Sequence, residues 1–370
     1  MTSGPLSERQ GRPARQPAIL RRGDAGTEVA DVRERLIRLR LLEPADADIY
    51  DEAVEEAVRG FQQQRGISVD GIVGPQTFRH LEEARWTLGD RVLAFTPGHL
   101  IRGDDVLDLQ GRLTRMGFDC GRPDGIFGEL TDSALREFQR NVGLEADGMC
   151  GFTTYWALER LTRTVGDGDA LRMRELHALD EQRSGVAGKV VVLDPGGADA
   201  DAQFAEAEAQ ILADVCGRIE GRLAALGTQV VFTRRPTPHL ISEGRRADFA
   251  NSADADLVLS LHVERVSIPG ANGIATFYFG DPRGGRHSTS GREAAEILQE
   301  EICRRTDLTD CRSHARTWDL LRLTRMPAVW VELGYLSHPG DAARLHDARF
   351  RDALAEAIAV ATARFFAPGS

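Results

Sequence analysis

Asp194, His262 and Glu332 each stand at the end of an apolar run that is typical of a buried β-strand. The runs are short and rich in β-branched and aliphatic residues, as strands covered on both faces are. Carboxylates and imidazoles are side chains that enzymes use to move protons, and imidazole is also a common metal ligand. Because sites in open α/β sheets form beyond the carboxyl ends of strands, we expect the fold to gather these three side chains.

The elements that must position them alternate between strand and helix patterns over residues 189–367. This alternation predicts an α/β domain with a mostly parallel sheet and helices on both faces. The loop Asp194-Pro195-Gly196-Gly197 ends the first strand, since proline lacks an N–H donor and glycine permits tight backbone. The expected strands are residues 190–193, 229–233, 257–261, 273–279 and 329–332, and the expected helices lie near residues 206–226, 244–251, 291–305 and 350–366.

The first half of the chain repeats one pattern with a period of about 77 to 80 residues, which suits a duplicated small domain. Apolar residues spaced three and four apart predict a first amphipathic helix in each copy, and two further helices follow. We therefore predict two small three-helix all-α modules, at residues 20–84 and 99–161. The matches are Arg22-Gly23-Asp24 with Arg102-Gly103-Asp104, Phe61-Gln62 with Phe138-Gln139, and residues 70–74 with 147–151.

Composition and charge limit the cellular compartment and the classes of binding partner that we expect. The chain has 46 basic and 57 acidic residues and a net charge of −11, which argues against nucleic acid or an anionic membrane as its main partner. No apolar run approaches the roughly 18 residues of a membrane span, and the N-terminal stretch lacks the apolar core of a signal peptide. Five scattered cysteines are typical of reduced thiols. We therefore expect a cytoplasmic protein with a flexible tail at residues 1–19 and a linker at residues 162–188.

The repeated module resembles the type 1 peptidoglycan-binding domain, whose hallmarks are a Phe-Gln helix end and an Asp-Gly-x-x-Gly-x-x-Thr turn. The second copy departs from the family pattern with Phe152 where the first has Pro75. The resemblance implies that the modules bind peptidoglycan or a muropeptide precursor, although a scaffolding role is an equal alternative. Buried core positions suit the two phenylalanines better than ligand contacts do. The candidate binding residues are Asp70, Gly71, Asp147, Gly148, Phe61 and Phe138.

Residues 189–366 resemble the amidase-3 family of zinc-dependent N-acetylmuramoyl-L-alanine amidases. The matching motifs, in chain order, are LDPG, VVFTR, RADFANSADADLVLSLH, GIATFYFG and PAVWVELGYLSHPGD. The resemblance implies a zinc ion held by a His after the LDPG turn, a Glu that opens the next helix and the His of the SLH motif. The Glu of the ELG motif acts as the base. Three protein ligands leave a position for water, which zinc acidifies for attack on an amide.

Carried over to this sequence, the resemblance gives His262 as the SLH ligand, Glu332 as the base and Glu208 as the helix ligand. Glu208 is preferred to Glu206 because a helix that begins there has the expected length. The first ligand position is Gly197, which has no ligating atom, so zinc binding is expected to be weak or absent. The residues that could substitute as ligands are Asp194, Asp199, Asp201 and His287, and those that could pair with Glu332 are Arg245, Arg246 or a cation.

The missing ligand and the absent export signal favour a regulatory protein over an enzyme. The chain is similar to cytoplasmic members of the amidase-3 family, which implies a regulator of wall-precursor synthesis. The enolpyruvyl transferase that starts that pathway is the implied partner. Two alternatives stay open: an active zinc amidase that cleaves the muramoyl–L-alanine amide bond, and a scaffold whose modules bind only proteins. Residues 311–327 are unusually rich in specific side chains for a connection that leads into a strand.

Overall fold

A computed structural model describes residues 19–45, 48–162, 183–197, 202–234, 241–266, 270–281 and 286–368. By its internal contacts the chain divides into two compact units, Met1–Gln63 with Ser68–Arg85, and Gln64–Ile67 with Trp86–Ser370. Most of the expected tail and residues 163–182 of the expected linker lie outside the described residues. Within the described ranges, no helix combines the length and the apolar content that a membrane span requires.

Each half of the N-terminal region folds as three short helices around its own apolar core. The first core includes Val32, Leu36 and Phe61, and the second includes Leu109 and Phe138. The prediction of two small three-helix modules is thereby confirmed. The helices, in chain order, are α1 Thr27–Arg38, α2 Glu52–Arg65, α3 Pro75–Glu83, α4 Asp104–Arg115, α5 Glu129–Asn141 and α6 Phe152–Thr162.

A glutamine on the preceding helix holds each predicted Asp-Gly turn in place. Gln139 donates to Oδ1 of Asp147 at 2.7 Å and to Oγ1 of Thr154 at 3.1 Å. Its Oε1 accepts from the backbone N–H of Gly148 at 2.9 Å. These bonds tie the turn to the start of α6, so the motif stabilises the module whether or not a ligand is bound. The same bonds join Gln62 to Asp70, Gly71 and Thr77 in the first module.

A third turn of this kind lies inside the second module and is not among the repeats predicted above. Gln110 on α4 donates to Asp124 at 2.9 Å and to Thr131 at 3.0 Å, and the N–H of Gly125 donates to its Oε1 at 2.8 Å. The sequence signal is a further Asp-Gly-x-x-Gly-x-x-Thr run at residues 124–131. In the first module the equivalent helix position is Arg33, which donates to Ile49 and Asp51. Because this residue is not a glutamine, the third turn has no counterpart in the first module.

The helices also correct one of the repeat matches. Gly26 precedes α1 and Gly103 precedes α4, so the two helix starts lie 77 residues apart, as the Phe-Gln pairs do. Matching Gly23 with Gly103 places the Arg-Gly-Asp triplets three residues out of register. The triplets are therefore not structural equivalents, and that part of the predicted repeat is wrong.

The C-terminal domain is built around one seven-stranded sheet in the described part of the chain. The strands are β1 Val190–Pro195, β2 Gln229–Phe232, β3 Leu257–Glu264, β4 Ile274–Asp281, β5 Arg286–His287, β6 Asp310–Arg316 and β7 Ala328–Tyr335. Their order is β2-β1-β3-β7-β4-β5, and β6 pairs with β4. β1 is parallel to β2 and β3, and β3 is parallel to β7, whereas β4 runs antiparallel to β7. The predicted mostly parallel sheet is confirmed.

Helices cover both faces of this sheet. One face packs against α7, α9 and α12 through a large aliphatic core that includes Leu212, Leu298 and Ile358. The other face packs against α8 and α10 through a smaller core that includes Ala250 and Leu321. The helices are α7 Ala202–Ala225, α8 Glu243–Ser252, α9 Thr289–Arg305, α10 Asp319–Leu323, α11 Pro339–His346 and α12 Ala348–Phe365.

Two elements differ from the sequence expectations. β6 and α10 occupy the segment that we expected to be a connection. The strand was not predicted because the residues of β6 are mostly polar and only partly buried, so they show no apolar strand pattern. In addition, α7 begins at Ala202, so Glu208 lies in its second turn and does not open the helix. The expectation that a helix begins at Glu208 is therefore wrong.

Candidate functional site

The carboxyl ends of β1, β3 and β7 meet at one edge of the sheet because the three strands are parallel neighbours. His262 on β3 is the direct register partner of Glu332 on β7. Asp194 on β1 is the register partner of Ser260, which lies two residues before His262. Since residues two apart in a strand share a face, all four side chains belong to one face of the sheet. The fold thus brings together the three residues that the sequence singled out, but each lies inside its strand and does not begin the loop that follows, because the strands run on to Pro195, Glu264 and Tyr335.

Asp194 is fully buried and is bonded on both carboxylate oxygens. Oδ2 accepts from the hydroxyl of Ser260 at 2.6 Å and from Nη1 of Arg246, and Oδ1 accepts from the hydroxyl of Thr233. A buried carboxylate needs such donors, and an arginine supplies the compensating charge. Asp194 is therefore committed to holding β1, β2, β3 and α8 together at the site.

The same network fixes the tautomer of His262. Because the hydroxyl hydrogen of Ser260 goes to Asp194, its oxygen accepts from Nε2–H of His262 at 2.7 Å. The lone pair of the imidazole then lies on Nδ1. Burial, together with the positive charges of Arg246 and Arg234, holds the pKa of His262 well below its usual range. The ring also lies flat on Trp330, with centroids 3.3 Å apart and planes 8° apart.

Two glycines line the turn opposite this imidazole. A Cβ on Gly196 would lie 2.1 Å from Nδ1 of His262, so only glycine fits there. Gly197 has a φ of +124°, and a Cβ on it would lie 3.1 Å from Oε2 of Glu208 and 3.3 Å from Nη2 of Arg234. Position 197 thus faces the buried carboxylate of Glu208, one residue from the contact with His262.

The structure separates the two candidate glutamates on α7. Glu208 is 3% exposed and turns toward Gly197, whereas Glu206 is exposed. Arg234 lies beside Glu208 and donates from Nε to the carbonyl of Pro195 at 3.0 Å and from Nη2 to that of Gly197 at 3.2 Å. Burial lowers the pKa of Arg234, while the charges of Asp194 and Glu208 act in the opposite direction. A guanidinium therefore stands next to position 197, where the family resemblance led us to look for a metal ligand.

The remaining residues that we considered as possible metal ligands are Asp199, Asp201 and His287. Asp199 and Asp201 lie outside the described residues. His287 is in β5, which ends the strand order and is separated from β1 by β3, β7 and β4. Across the described ranges, no three His, Cys, Asp or Glu side chains come together as a metal site would require.

Glu332 is mostly buried and has different partners from those expected. Its Oε2 accepts from the hydroxyl of Tyr335 at 2.7 Å. Burial raises the pKa of Glu332, and the Tyr335 bond and the charge of Arg316 reduce that rise. Arg246 is bonded to Asp194 instead, and Arg245 is exposed. The positive charge that we expected near Glu332 is therefore that of Arg316, at the end of β6.

An aromatic surface continues from the site along the same face of the sheet. Trp330 contacts Trp318, and Trp318 contacts Phe277, each with ring centroids 4.8 Å apart. The guanidinium of Arg316 stands 5.3 Å over Phe277 and 6.0 Å over Trp318. None of these residues belongs to the site expected from the sequence. The available signal was the side-chain richness of residues 311–327, which contain Arg316 and Trp318.

In the modules, the predicted binding residues lie within the framework of the fold. Phe61 and Phe138 are 1% and 0% exposed and belong to the two cores. The Asp and Gly residues of the turns are bonded to the glutamines described above. Large aromatic side chains reach the surface elsewhere, since Phe152 and Trp156 on α6 are 78% and 54% exposed, with centroids 5.9 Å apart.

Comparison with known proteins agrees with this architecture. Residues 191–364 match the amidase-3 family, N-acetylmuramoyl-L-alanine amidase, and residues 25–81 and 102–158 match the type 1 peptidoglycan binding domain. The N-acetylmuramoyl-L-alanine amidase CwlM of Mycobacterium tuberculosis is 41% identical over 367 residues, which are 95% of this chain and 90% of that protein.

Solved structures of amidases resemble the C-terminal half. An N-acetylmuramoyl-L-alanine amidase of Clostridium difficile 630 has 25% identity and a TM-score of 0.41, over 48% of this chain and 95% of its own. Ami1 of Mycobacterium smegmatis has 21% identity and a TM-score of 0.43, over 50% of this chain and 99% of its own. Because the similarity to CwlM runs through nearly the whole of both chains, this chain belongs to the amidase-3 family of N-acetylmuramoyl-L-alanine amidases.

Proposed function

We propose that this chain is a cytoplasmic regulator of cell-wall precursor synthesis, built on an amidase-3 domain whose zinc site is incomplete. The observation that carries the proposal is Gly197. This residue faces Glu208 and stands beside the contact of the turn with His262, and it has no side chain that could ligate a metal. Glu208, His262 and Glu332 are the remaining members of the site, as metal ligands and base respectively.

The donor set does not suit a catalytic zinc ion. Such an ion takes three protein ligands and one water, and the described residues offer the carboxylate of Glu208 and Nδ1 of His262. Asp194 is engaged with three donors and is not available. The guanidinium of Arg234 adds a positive charge close to position 197, which disfavours a divalent cation there. Zinc at this site is therefore weak or absent.

A domain of this kind keeps the shape of the site without the hydrolytic step. The glycine turn, the oriented imidazole and the buried Glu332 remain as groups that contact a ligand. The ligand class that fits the family is peptidoglycan or a muropeptide precursor, taken by the C-terminal domain or by the modules. The partner we propose is the cytoplasmic enolpyruvyl transferase that starts wall-precursor synthesis.

Metal analysis of the purified chain, run beside a Gly197→His variant, tests the incomplete site. We expect much less than one zinc per wild-type chain and no release of peptide from muropeptides. A wild-type protein that carries one zinc per chain and releases peptide would overturn the proposal. The regulatory part is tested separately by the rate of the enolpyruvyl transferase with and without this chain, and an unchanged rate would contradict it.

Ligand binding by the modules is tested with the exposed aromatic pair on α6. Replacing Phe152 and Trp156 with serine leaves the core intact, because both side chains are largely exposed. If the second module binds peptidoglycan through this surface, retention of the full chain on insoluble peptidoglycan falls in the double variant. Wild-type protein that is not retained would favour a scaffold that binds only proteins.

The second candidate function is an active zinc amidase. Two observations favour it: burial raises the pKa of Glu332 toward the range of a general base, and Nδ1 of His262 bears a free lone pair. This function requires a third ligand from outside the described residues, such as Asp199 or Asp201. It predicts one zinc per chain and loss of hydrolysis in Glu332→Ala, His262→Ala and one of the two aspartate variants.

A further inference from the structure

Arg316 is a half-buried cation that forms no ion pair within the described residues. Of its five N–H donors, Nη1 donates to the carbonyl of Ala315 at 3.0 Å. The rings of Phe277 and Trp318 hold the guanidinium in place. The charge of Glu332 acts on it from beyond ion-pair distance. Among the described residues, the other N–H donors of this planar guanidinium have no acceptor, so they are left for a ligand.

Trp330 adds a second donor on the same face. Its indole N–H is buried and has no acceptor in the part of the chain that the structure describes. Trp330 is the register partner of Phe277, the ring over which Arg316 stands, and its ring contacts Trp318. Buried donors are almost always paired in native proteins, so an unpaired one at a site points to a bound acceptor.

We propose that Arg316 and Trp330 form a carboxylate-binding subsite beside His262 and Glu332. The inference deepens the proposed function and rests on it, because it names the group of a muropeptide-like ligand that the domain recognises. A carboxylate suits the geometry, since the planar guanidinium fork binds two oxygens at once. The indole N–H, next to the imidazole, offers a third hydrogen bond to the same ligand.

A purely structural role does not account for these residues. An arginine that only supports a sheet would have its donors on backbone carbonyls or in an ion pair, as Arg246 does with Asp194. Arg316 uses one donor on the carbonyl of Ala315, and the aromatic rings hold its guanidinium without using the other N–H groups. Arg316 lies at the end of β6 and pairs with β4, which in turn pairs with β7. This register places Arg316 on the face of the sheet that carries His262 and Glu332.

Ligand-observed NMR with the full chain tests the subsite at millimolar ligand. The probes are N-acetylmuramoyl-L-alanine, which ends in a carboxylate, its C-terminal amide, which does not, and inorganic phosphate. We expect the acid to bind at least about tenfold more tightly than the amide, as one lost charge-assisted bond implies. Arg316→Gln should remove this preference, and Arg316→Lys should restore only part of it because lysine lacks the fork.

Arg312→Gln is the matched control, because its side chain is on the same strand and 81% exposed. It should leave the acid-to-amide ratio unchanged. Equal binding of acid and amide, no binding of either by the wild type, or an unchanged ratio in a folded Arg316→Gln protein would each overturn the subsite. Phosphate that binds through Arg316 while the acid does not would overturn the carboxylate assignment. Zinc content and alanine release are measured on the same sample. They test the proposed function separately from the carboxylate subsite.

Discussion

Gly197 and Glu208 face each other so closely that a Cβ on the glycine would lie 3.1 Å from Oε2 of the glutamate. The φ of +124° at Gly197 is one that side-chain-bearing residues rarely adopt. A side chain placed at position 197 would therefore strain the backbone of the turn as well as approach Glu208. The turn has adopted a conformation that suits glycine and that a histidine would have to change.

Gly197→His should lower the free energy of unfolding of the metal-free protein by about 1–3 kcal/mol, because a non-glycine residue is strained at this φ. Added zinc should then raise its melting temperature, since the new imidazole completes a three-ligand set with Glu208 and His262. Gly197→Ala carries the same strain without the ligand and is the control. Equal zinc stabilisation of the His and Ala variants would show that position 197 is not a ligand position.

Ser260→Ala should cost about 1–3 kcal/mol of folding free energy, because it leaves Asp194 without one donor and Nε2–H of His262 without its acceptor. Chemical denaturation measures the loss, and nitrogen chemical shifts of His262 report the tautomer. Ser313→Ala is the control, as Ser313 bonds only to the hydroxyl of Thr276 in the described structure. A retained Nε2–H tautomer in Ser260→Ala would show that the network does not set it.

Arg122→Ala should loosen the second module from the C-terminal domain. Its Nη2 donates to the carbonyls of Leu321 at 3.2 Å and Arg322 at 3.3 Å, at the end of α10, and its guanidinium lies 4.8 Å over Phe279. Without these contacts we expect faster hydrogen exchange in α10. Arg140→Ala, exposed on α5 of the same module, should leave the exchange rates unchanged. Unaltered exchange in Arg122→Ala would mean that α10 is held by its own domain.

Glu301→Gln should destabilise the protein at neutral pH and much less in acid. Glu301 is 2% exposed and pairs with Arg304 and Arg364. Burial raises the pKa of Glu301, but these arginines outweigh it and hold that pKa below its usual range. A lowered carboxyl pKa contributes stability above its unfolded value, and this contribution is lost as the pH falls through the folded pKa.

Denaturation of wild type and Glu301→Gln across that acid range measures the effect. Glu300→Gln is the control, because its carboxylate is 58% exposed and pairs only with Arg364 in the described structure. It should change stability little at any pH, as exposed ion pairs contribute little. A stability difference between wild type and Glu301→Gln that does not shrink in acid would contradict the ion-pair explanation.

Much of the architecture could be read from the sequence because the relevant patterns are local. Apolar runs such as residues 257–261 define the buried strands, although this strand continues past His262 to Glu264. Helical spacing and the repeated turns define the two modules. The failures are also local in origin: β6 lacks an apolar run, and Arg33 in place of a glutamine conceals the turn that Gln110 holds in the second module.

The sequence by itself determined most of the elements, their order and the absence of a ligating atom at Gly197, because residue identity and periodicity are properties of the chain. Only the tertiary structure decided which side chains meet. It buried Glu208 and left Glu206 exposed, paired Arg246 with Asp194, and placed Arg316 where its charge acts on Glu332. These pairings depend on strand register and on which face a residue occupies, and a shift of one residue would reverse them.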